Sequence, residues 1–522
     1  VPEFLRARAF ALLRRLGDAV CALVPGDVPA LLEAAACALR PGEPLAVRVC
    51  ACRALCRFLS SVDDAPRREA LLSGHGVLDS LGALLRGADE ELLHLVLESL
   101  CVVVRQCPGA AASAEAALAP LALEVWRRCA ADPLVHLQVL DLVSCAAGSD
   151  PRLRLAMEEH LLPAVRDDLR AGTDPHLVAS AVELYGVLLK RAPLPLGPQL
   201  WECVELLLPL VMQSDESGLM QNACDVLCCL TQRSPAQLSD GGCLQPLLQC
   251  IERLLGPSLD DDACLHVGQL ATLVLSQFGS LMPGSLTLGL LRALVNRLVR
   301  AERPYLQQEL VVVVARLLCQ DSRGTAAALL EMDLAAGAGG GPRRGLEALL
   351  SVWLAIAGDI RARRARAATT SALCRLHELC SEDARLGAVR VRGLPLAEQL
   401  LAAVVAGLEF ENERCRMLRE SAASGMESSD GEDSAADDGA DDDGDGCGGQ
   451  LLSDLVDLDD SEDLGSSSAE ESPAAPGQDR LHGLDVRRAA AEYLAAHEAS
   501  AAGQPELVGR LRAAVGEARA HP

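Results

Sequence analysis

Three features of the sequence predict an all-α chain assembled from repeated helix pairs. Half of its 522 residues are hydrophobic but only 2% are aromatic, and the apolar side chains are mostly Leu, Ala, Val and Cys. Sheets favour aromatic and β-branched residues, so this mixture of helix formers argues against a β-rich fold. Apolar residues recur at i, i+4, i+7, i+8 and i+11, a single helical stripe, and the stripe returns at a near-constant interval. The third feature is charge: a net −26 that is gathered into one segment.

The stripe occurs seven times. It runs through Val47, Ala51, Ala54, Leu55 and Phe58, and then through Leu93, Leu97, Leu100, Cys101 and Val104. It continues with Val135, Val139, Leu142, Val143, Ala146; Leu177, Ala181, Leu184, Tyr185, Leu188; and Leu219, Ala223, Val226, Leu227, Leu230. The last two copies are Val267, Ala271, Val274, Leu275, Phe278 and Leu306, Leu310, Val313, Val314, Leu317. Successive starts lie 46, 42, 42, 42, 48 and 39 residues apart, and a weaker eighth copy opens near Ala365. Asp132-Pro133, Asp174-Pro175, Asp215 and Asp260 read as N-caps of these helices. Upstream of each stripe a second helix is expected, with Pro in its first turn at Pro163, Pro209 and Pro246. Two helices per repeat of this length is the HEAT/armadillo period. A lone pair cannot bury both faces, so the pairs stack into an α-solenoid superhelix.

Element by element, this predicts a HEAT-repeat array over residues 1–334, a Gly-rich loop over 335–345, and C-terminal HEAT-like helices over 346–419. Pro395 marks the start of an apolar helix over 396–408, followed by a charged one over 409–419. Residues 420–479 hold 20 acidic residues and no Lys or Arg, which leaves about −6 for the rest of the chain. Rich in Asp, Ser and Gly, this insertion cannot bury enough apolar surface to offset its ordering entropy, and it is predicted disordered. A final helix pair is expected near 484–499 and 504–518, within residues 480–522.

Several other classes fall away. The uncharged stretch from Ala263 to Leu291 exceeds a bilayer, but Gln269, Ser276, Gln277 and Met282-Pro283-Gly284 divide it into two buried helices. The 21 Cys sit at core positions of a long helical chain and read as reduced thiols of cytosol or nucleus. Cys50, Cys52 and Cys56, and Cys224, Cys228 and Cys229, lack a second Cys or His pair, so they read as core thiols, with no metal or other cofactor expected. Glycines 337 and 339–341 have no following Lys-Ser/Thr, and no His-Glu-x-x-His or Gly-x-Ser-x-Gly is present. No catalytic residues emerge, and the chain is read as not an enzyme. The net charge argues against direct nucleic-acid binding. Arg361, Arg363, Arg364 and Arg366 read as a solvated helix face or a contact for the chain's own acidic segment. The opening Phe4-Leu5-Arg6-Ala7-Arg8-Ala9-Phe10 reads as an amphipathic helix rather than a transit peptide. A start at Val1 instead of Met suggests a piece of a longer protein.

Function is expected to concentrate in the acidic insertion. A polyanion beside a near-neutral array suits the holding and steering of basic proteins. The candidate cargo-binding carboxylates are Glu427, Asp430, Glu432, Asp433, Asp437, Asp438, Asp441, Asp442, Asp443, Asp445, Asp454, Asp457, Asp459, Asp460, Glu462 and Asp463. Leu451, Leu452 and Leu455, spaced for a helical turn, form a candidate apolar anchor. A HEAT-type scaffold would share the array without needing this tract, and an acidic histone chaperone would share the tract without crossing a pore.

The chain also resembles the C-terminal half of karyopherin-β (importin-β) nuclear import receptors. The similarity is carried by the stretch from Glu91 to Cys101, Met220-Gln221-Asn222, His266-Val267-Gly268 and Ser371-Ala372-Leu373-Cys374. Most specific are Gly449-Gln450-Leu451-Leu452-Ser453-Asp454-Leu455 inside the acidic insertion and Leu484-Asp485-Val486 after it. The resemblance implies a receptor that shuttles between cytoplasm and nucleus, carrying histones and ribosomal proteins past nucleoporins under control of the small GTPase Ran. It implies no membrane partner, and it places the principal Ran- and pore-binding repeats in an N-terminal half not represented in this sequence.

Overall fold

The computed structural model describes residues 2–334 apart from 63, 131 and 173, then 343–427, 486–498 and 504–520. It is all-α, with two short antiparallel hairpins, and divides into two compact units, Val1–Cys250 and Ile251–Pro522.

Every stripe lies on one helix. In the first unit these are Leu45–Leu59, Glu90–Gln106, Pro133–Ser149, Pro175–Arg191 and Ser217–Arg233, each packed on the next. A second layer of Val77–Gly87, Glu115–Cys129, Pro151–Ala171 and Pro198–Gln213 stacks in the same order. The second unit repeats the plan, with Val267–Phe278, Pro304–Gln320 and Arg363–Glu382 in one layer and Gly284–Arg300 packed on Gly345–Ile356 in the other. This is the HEAT-type solenoid arrangement. All stripe residues except the half-buried Leu177 are buried. The eighth copy keeps the register as Ala365, Thr369, Ala372, Leu373 and Leu376, with only Ala365 half-exposed.

Polar bonds link neighbouring repeats where the stripes cannot. Trp126 Nε1 donates to Ser180 Oγ at 2.8 Å, and Tyr185 donates its hydroxyl to the Leu200 carbonyl at 3.0 Å. Gly268 has a different role. A Cβ there would stand 2.8 Å from the Glu309 backbone, so only glycine lets the helices Val267–Phe278 and Pro304–Gln320 approach this closely.

Several start signals resolve differently from the sequence expectation. Asp132 and Asp174 cap their helices, each accepting from two backbone N–H groups. At the next repeat the cap is Glu216 rather than Asp215. Asp260 accepts from Ala263 N at 2.8 Å over a 3-10 turn, and the stripe helix begins only at Val267. Pro163 and Pro209 do not open helices either. They lie inside Pro151–Ala171 and Pro198–Gln213, whose first residues are themselves prolines. An interior proline removes one helical bond and bends the helix, a local signal that resembles a start. Pro246 does fall in a first turn, that of Leu244–Leu254.

The boundaries after residue 330 also shift. Asp333–Leu334 pairs with Arg343–Arg344, and Gly345 already opens a helix; residues 335–342 of the expected loop lie outside the described residues. Arg390–Val391 pairs with Leu394–Pro395 around Arg392 and Gly393, both at positive φ, a turn the periodicity did not reveal. Beyond it Leu396–Glu427 is one helix. It joins the two helices expected over 396–408 and 409–419, because no proline interrupts it, and it extends through residues 420–427 of the expected insertion. The final pair is Val486–Ala496 and Pro505–Ala520. Among the described residues no helix is long and apolar enough to cross a membrane, and none of the cysteines is in a disulfide.

Candidate functional site

The helices that precede and follow the acidic insertion in sequence pack into one group in the second unit. Leu396–Glu427 delivers the chain into it, and Val486–Ala496 and Pro505–Ala520 pack against that same helix after it. The first half of the long helix is an apolar stripe: Leu396, Leu400, Leu401, Val404, Val405 and Leu408 are buried against its neighbours. The stripe then turns polar without leaving the core, since the next two positions on that face are the buried Glu411 and Asn412.

Glu411 meets Arg366 of Arg363–Glu382 at 2.9 Å, with both side chains almost fully enclosed. The Arg366 guanidinium also lies 4.5 Å from the centre of the Phe410 ring. Its nitrogens make no hydrogen bond of good geometry, so its charge is balanced by the Glu411 carboxylate and the ring face. Burial lowers the Arg366 pKa and Glu411 opposes that. Asn412 is the second fixture. It donates to the Ala514 carbonyl at 2.9 Å and accepts from Arg487 Nε at 2.6 Å, so one side chain ties together all three helices. On the exposed rim Arg510 pairs with Glu409.

A third contact joins Val486–Ala496 to Arg363–Glu382. Tyr493 donates its hydroxyl to the Cys374 carbonyl at 2.9 Å, which leaves its oxygen to accept from His377 Nδ1 at 2.8 Å. His497 stacks on Tyr493 with ring centres 4.2 Å apart and meets His377 edge-on at 5.5 Å. Burial, and then His497, push the His377 pKa below its ordinary 6.5. The folded state therefore prefers neutral His377, and the unfolded chain binds more protons between the folded pKa and 6.5. Stability from this contact is complete above 6.5 and is lost as pH falls through the folded pKa. Amide exchange in Val486–Ala496, corrected for intrinsic rates, should accelerate between about pH 7 and 5, and His377→Gln should flatten that dependence. Protection unchanged down to about pH 5 would refute this coupling.

Of the candidate residues, Glu427 is the last residue of the long helix. Asp430, Glu432, Asp433, Asp437, Asp438, Asp441, Asp442, Asp443, Asp445, Asp454, Asp457, Asp459, Asp460, Glu462 and Asp463 lie outside the described residues, as do Leu451, Leu452 and Leu455. The basic run splits. Arg361, Arg363 and Arg364 are exposed, as expected of a solvated face, whereas Arg366 is enclosed with Glu411. A charge run carries no information about which of its members turns inward. Cys224, Cys228 and Cys229 are core residues of Ser217–Arg233, and no group of His, Cys, Asp or Glu among the described residues is arranged to hold a metal.

Comparison with known proteins gives a consistent direction. A family model described as "Importin-11-like, TPR repeats" matches residues 138–389. The repeat spacing within that span, near 42 residues, is nearer the HEAT length than the 34 of a tetratricopeptide repeat. Importin-9 of Drosophila melanogaster is 24% identical over 385 residues, covering 71% of this chain and 37% of that protein. Importin subunit beta-5 of Schizosaccharomyces pombe is 25% identical over 296 residues, covering 53% and 28%. The chain thus spans about a third of the length of these relatives. Among solved structures, Lph2, described as a bidirectional nuclear transport receptor in S. cerevisiae, aligns over 98% of this chain and 52% of its own, with 13% identity and a TM-score of 0.49.

Proposed function

We propose that the chain belongs to the importin-β (karyopherin-β) family, as its similarity to importins suggests, and that it forms part of a nuclear import receptor for basic proteins. Its cargo would be Lys/Arg-rich, with histones and ribosomal proteins the natural examples, moving between cytoplasm and nucleus past nucleoporins under Ran control. One observation carries this reading. Twenty carboxylates without an internal cation are confined to residues 420–479, and the helices on either side of them are pinned to each other through Asn412, Arg487 and Ala514. A polyanion tethered at both ends keeps a high local concentration of negative charge next to the helical array. Basic cargo would meet that field first and then settle on the array, and no enzymatic step is required.

The test is nuclear accumulation of a fluorescent reporter fused to a histone tail, in cells whose own receptor is replaced by the full-length protein containing this region. Removal of residues 428–471 should slow accumulation several-fold, while a reporter carrying an unrelated import signal is unaffected. Equal import with and without the segment rejects the proposal. Histone binding that persists without any import would favour the acidic chaperone reading.

A further inference from the structure

Two cysteines lie on packed helices on either side of a repeat boundary in the first unit. Cys145 lies on Pro133–Ser149 and is half-exposed, and Cys101 lies buried on the packed neighbour Glu90–Gln106. Arg105, one turn beyond Cys101, donates from Nε to Cys145 Sγ at 2.9 Å. Cys101 Sγ lies 4.0 Å from the Gln138 carbonyl on the helix that carries Cys145, so both thiols belong to the same seam between the two helices. The Cys145 sulfur thus receives a guanidinium N–H, a contact that favours its thiolate. Neither the stripe nor the acidic insertion requires this arrangement.

We propose that Cys145 is a reactive thiol open to oxidation by hydroperoxides, with Cys101 as the resolving thiol that closes a disulfide between adjacent repeats. The Cys145 thiolate attacks the terminal peroxide oxygen, the O–O bond breaks, and the departing alkoxide or hydroxide takes up a proton to leave as alcohol or water. Cys145 becomes a sulfenic acid. The Cys101 sulfur then attacks Cys145 sulfur, releasing water and forming the S–S bond, so two thiols are oxidised by two electrons and one hydroperoxide is reduced.

The electrostatics favour this order of events. The neighbouring Cys101 thiol, and behind it Arg105, lower the Cys145 pKa against its burial, while Asp141 acts in the opposite sense. Arg191, on the next stripe helix, donates to the adjacent Ser144 rather than to the sulfur. Cys101 is pushed well above the ordinary thiol range, first by Cys145 and then by burial. A neutral sulfenic acid at Cys145 removes the first of these causes, so Cys101 is released to react only after Cys145 has been oxidised.

The experiment uses the whole chain, reduced and then exposed to iodoacetamide over a pH series, with each cysteine followed by mass spectrometry. Cys145 alkylation should titrate below the ordinary thiol range and, at pH 7, should be about 10-fold faster than in Arg105→Gln or than at the half-buried Cys21 and Cys37. Hydrogen peroxide should yield a cross-linked peptide joining residues 101 and 145. In Cys101→Ser the product should instead be a dimedone-trapped sulfenic acid at Cys145. Cys145 alkylation no faster than that of Cys21 overturns the proposal, as does peroxide oxidation that never joins the two cysteines.

Discussion

Glu411→Ala should destabilise the second unit by about 3–5 kcal/mol, the typical cost of stranding one partner of a buried pair. The substitution removes the carboxylate at 2.9 Å from Arg366 and leaves a guanidinium that is 4% exposed with only the Phe410 ring for compensation. Arg414 approaches Glu411 from its outer side at 3.4 Å, so truncation also frees a second cation towards the first. The pair itself is a poor source of net stability, because each ion gave up its hydration to enter the core. Replacing both partners by apolar residues, Arg366→Met with Glu411→Leu, should therefore restore most of the loss. Chemical denaturation monitored by helix content reads the unit as a whole. Amide exchange in Leu396–Glu427 and Val486–Ala496 localises the effect. If Glu411→Ala costs less than about 1 kcal/mol, water reaches Arg366 and the pair is not the enclosed fixture described above.

This pair marks the limit of what periodicity could reveal. The stripes from Val47 to Leu317 were legible because a period of 3.6 residues within helices and about 42 between them leaves few other folds. Glu411 and Asn412 continue the same face, three and four residues past Leu408, yet their polarity reads as a helix surface, and so the sequence divides the long helix at Glu409. Its true register was available in the spacing of Leu401, Val404, Val405 and Leu408. Arg366 hides for the converse reason: it belongs to a run of arginines, and composition cannot tell which member of a run faces the core. Prolines 163 and 209 were ambiguous because the same residue begins one helix and bends another. The Tyr493–His377 and Arg487–Asn412 contacts join residues more than 70 positions apart, and no local pattern encodes such a pairing. The acidic insertion is evident from charge alone, but that the helices before and after it pack into one group emerges only from the fold.

Deleting residues 428–471 should weaken binding of a core histone by about 10-fold or more at 50 mM salt, and by much less at 300 mM. The segment chosen leaves Glu427 at the end of its helix and spares Val486–Ala496, so the Asn412 and Arg487 contacts survive. Each ion pair formed in water contributes only about 0–1 kcal/mol, and a 10-fold effect corresponds to about 1.4 kcal/mol, so a few simultaneous pairs suffice. The Debye length shrinks from roughly 14 Å to 6 Å between these two salt concentrations, which removes most of the long-range attraction. The loss should appear mainly in the association rate, because a tethered polyanion acts by steering encounter. Single Asp→Asn changes should be nearly silent, while neutralising all the carboxylates of the segment should reproduce the deletion. Leu451→Ser and Leu455→Ser separate the apolar anchor from the charge. If they alone lower affinity, equally at both salt concentrations, the Leu cluster is the docking element and the carboxylates only keep it in solution. If the deletion leaves low-salt affinity and association rate unchanged, the insertion is a solvating linker, and cargo recognition must be sought on the helical array.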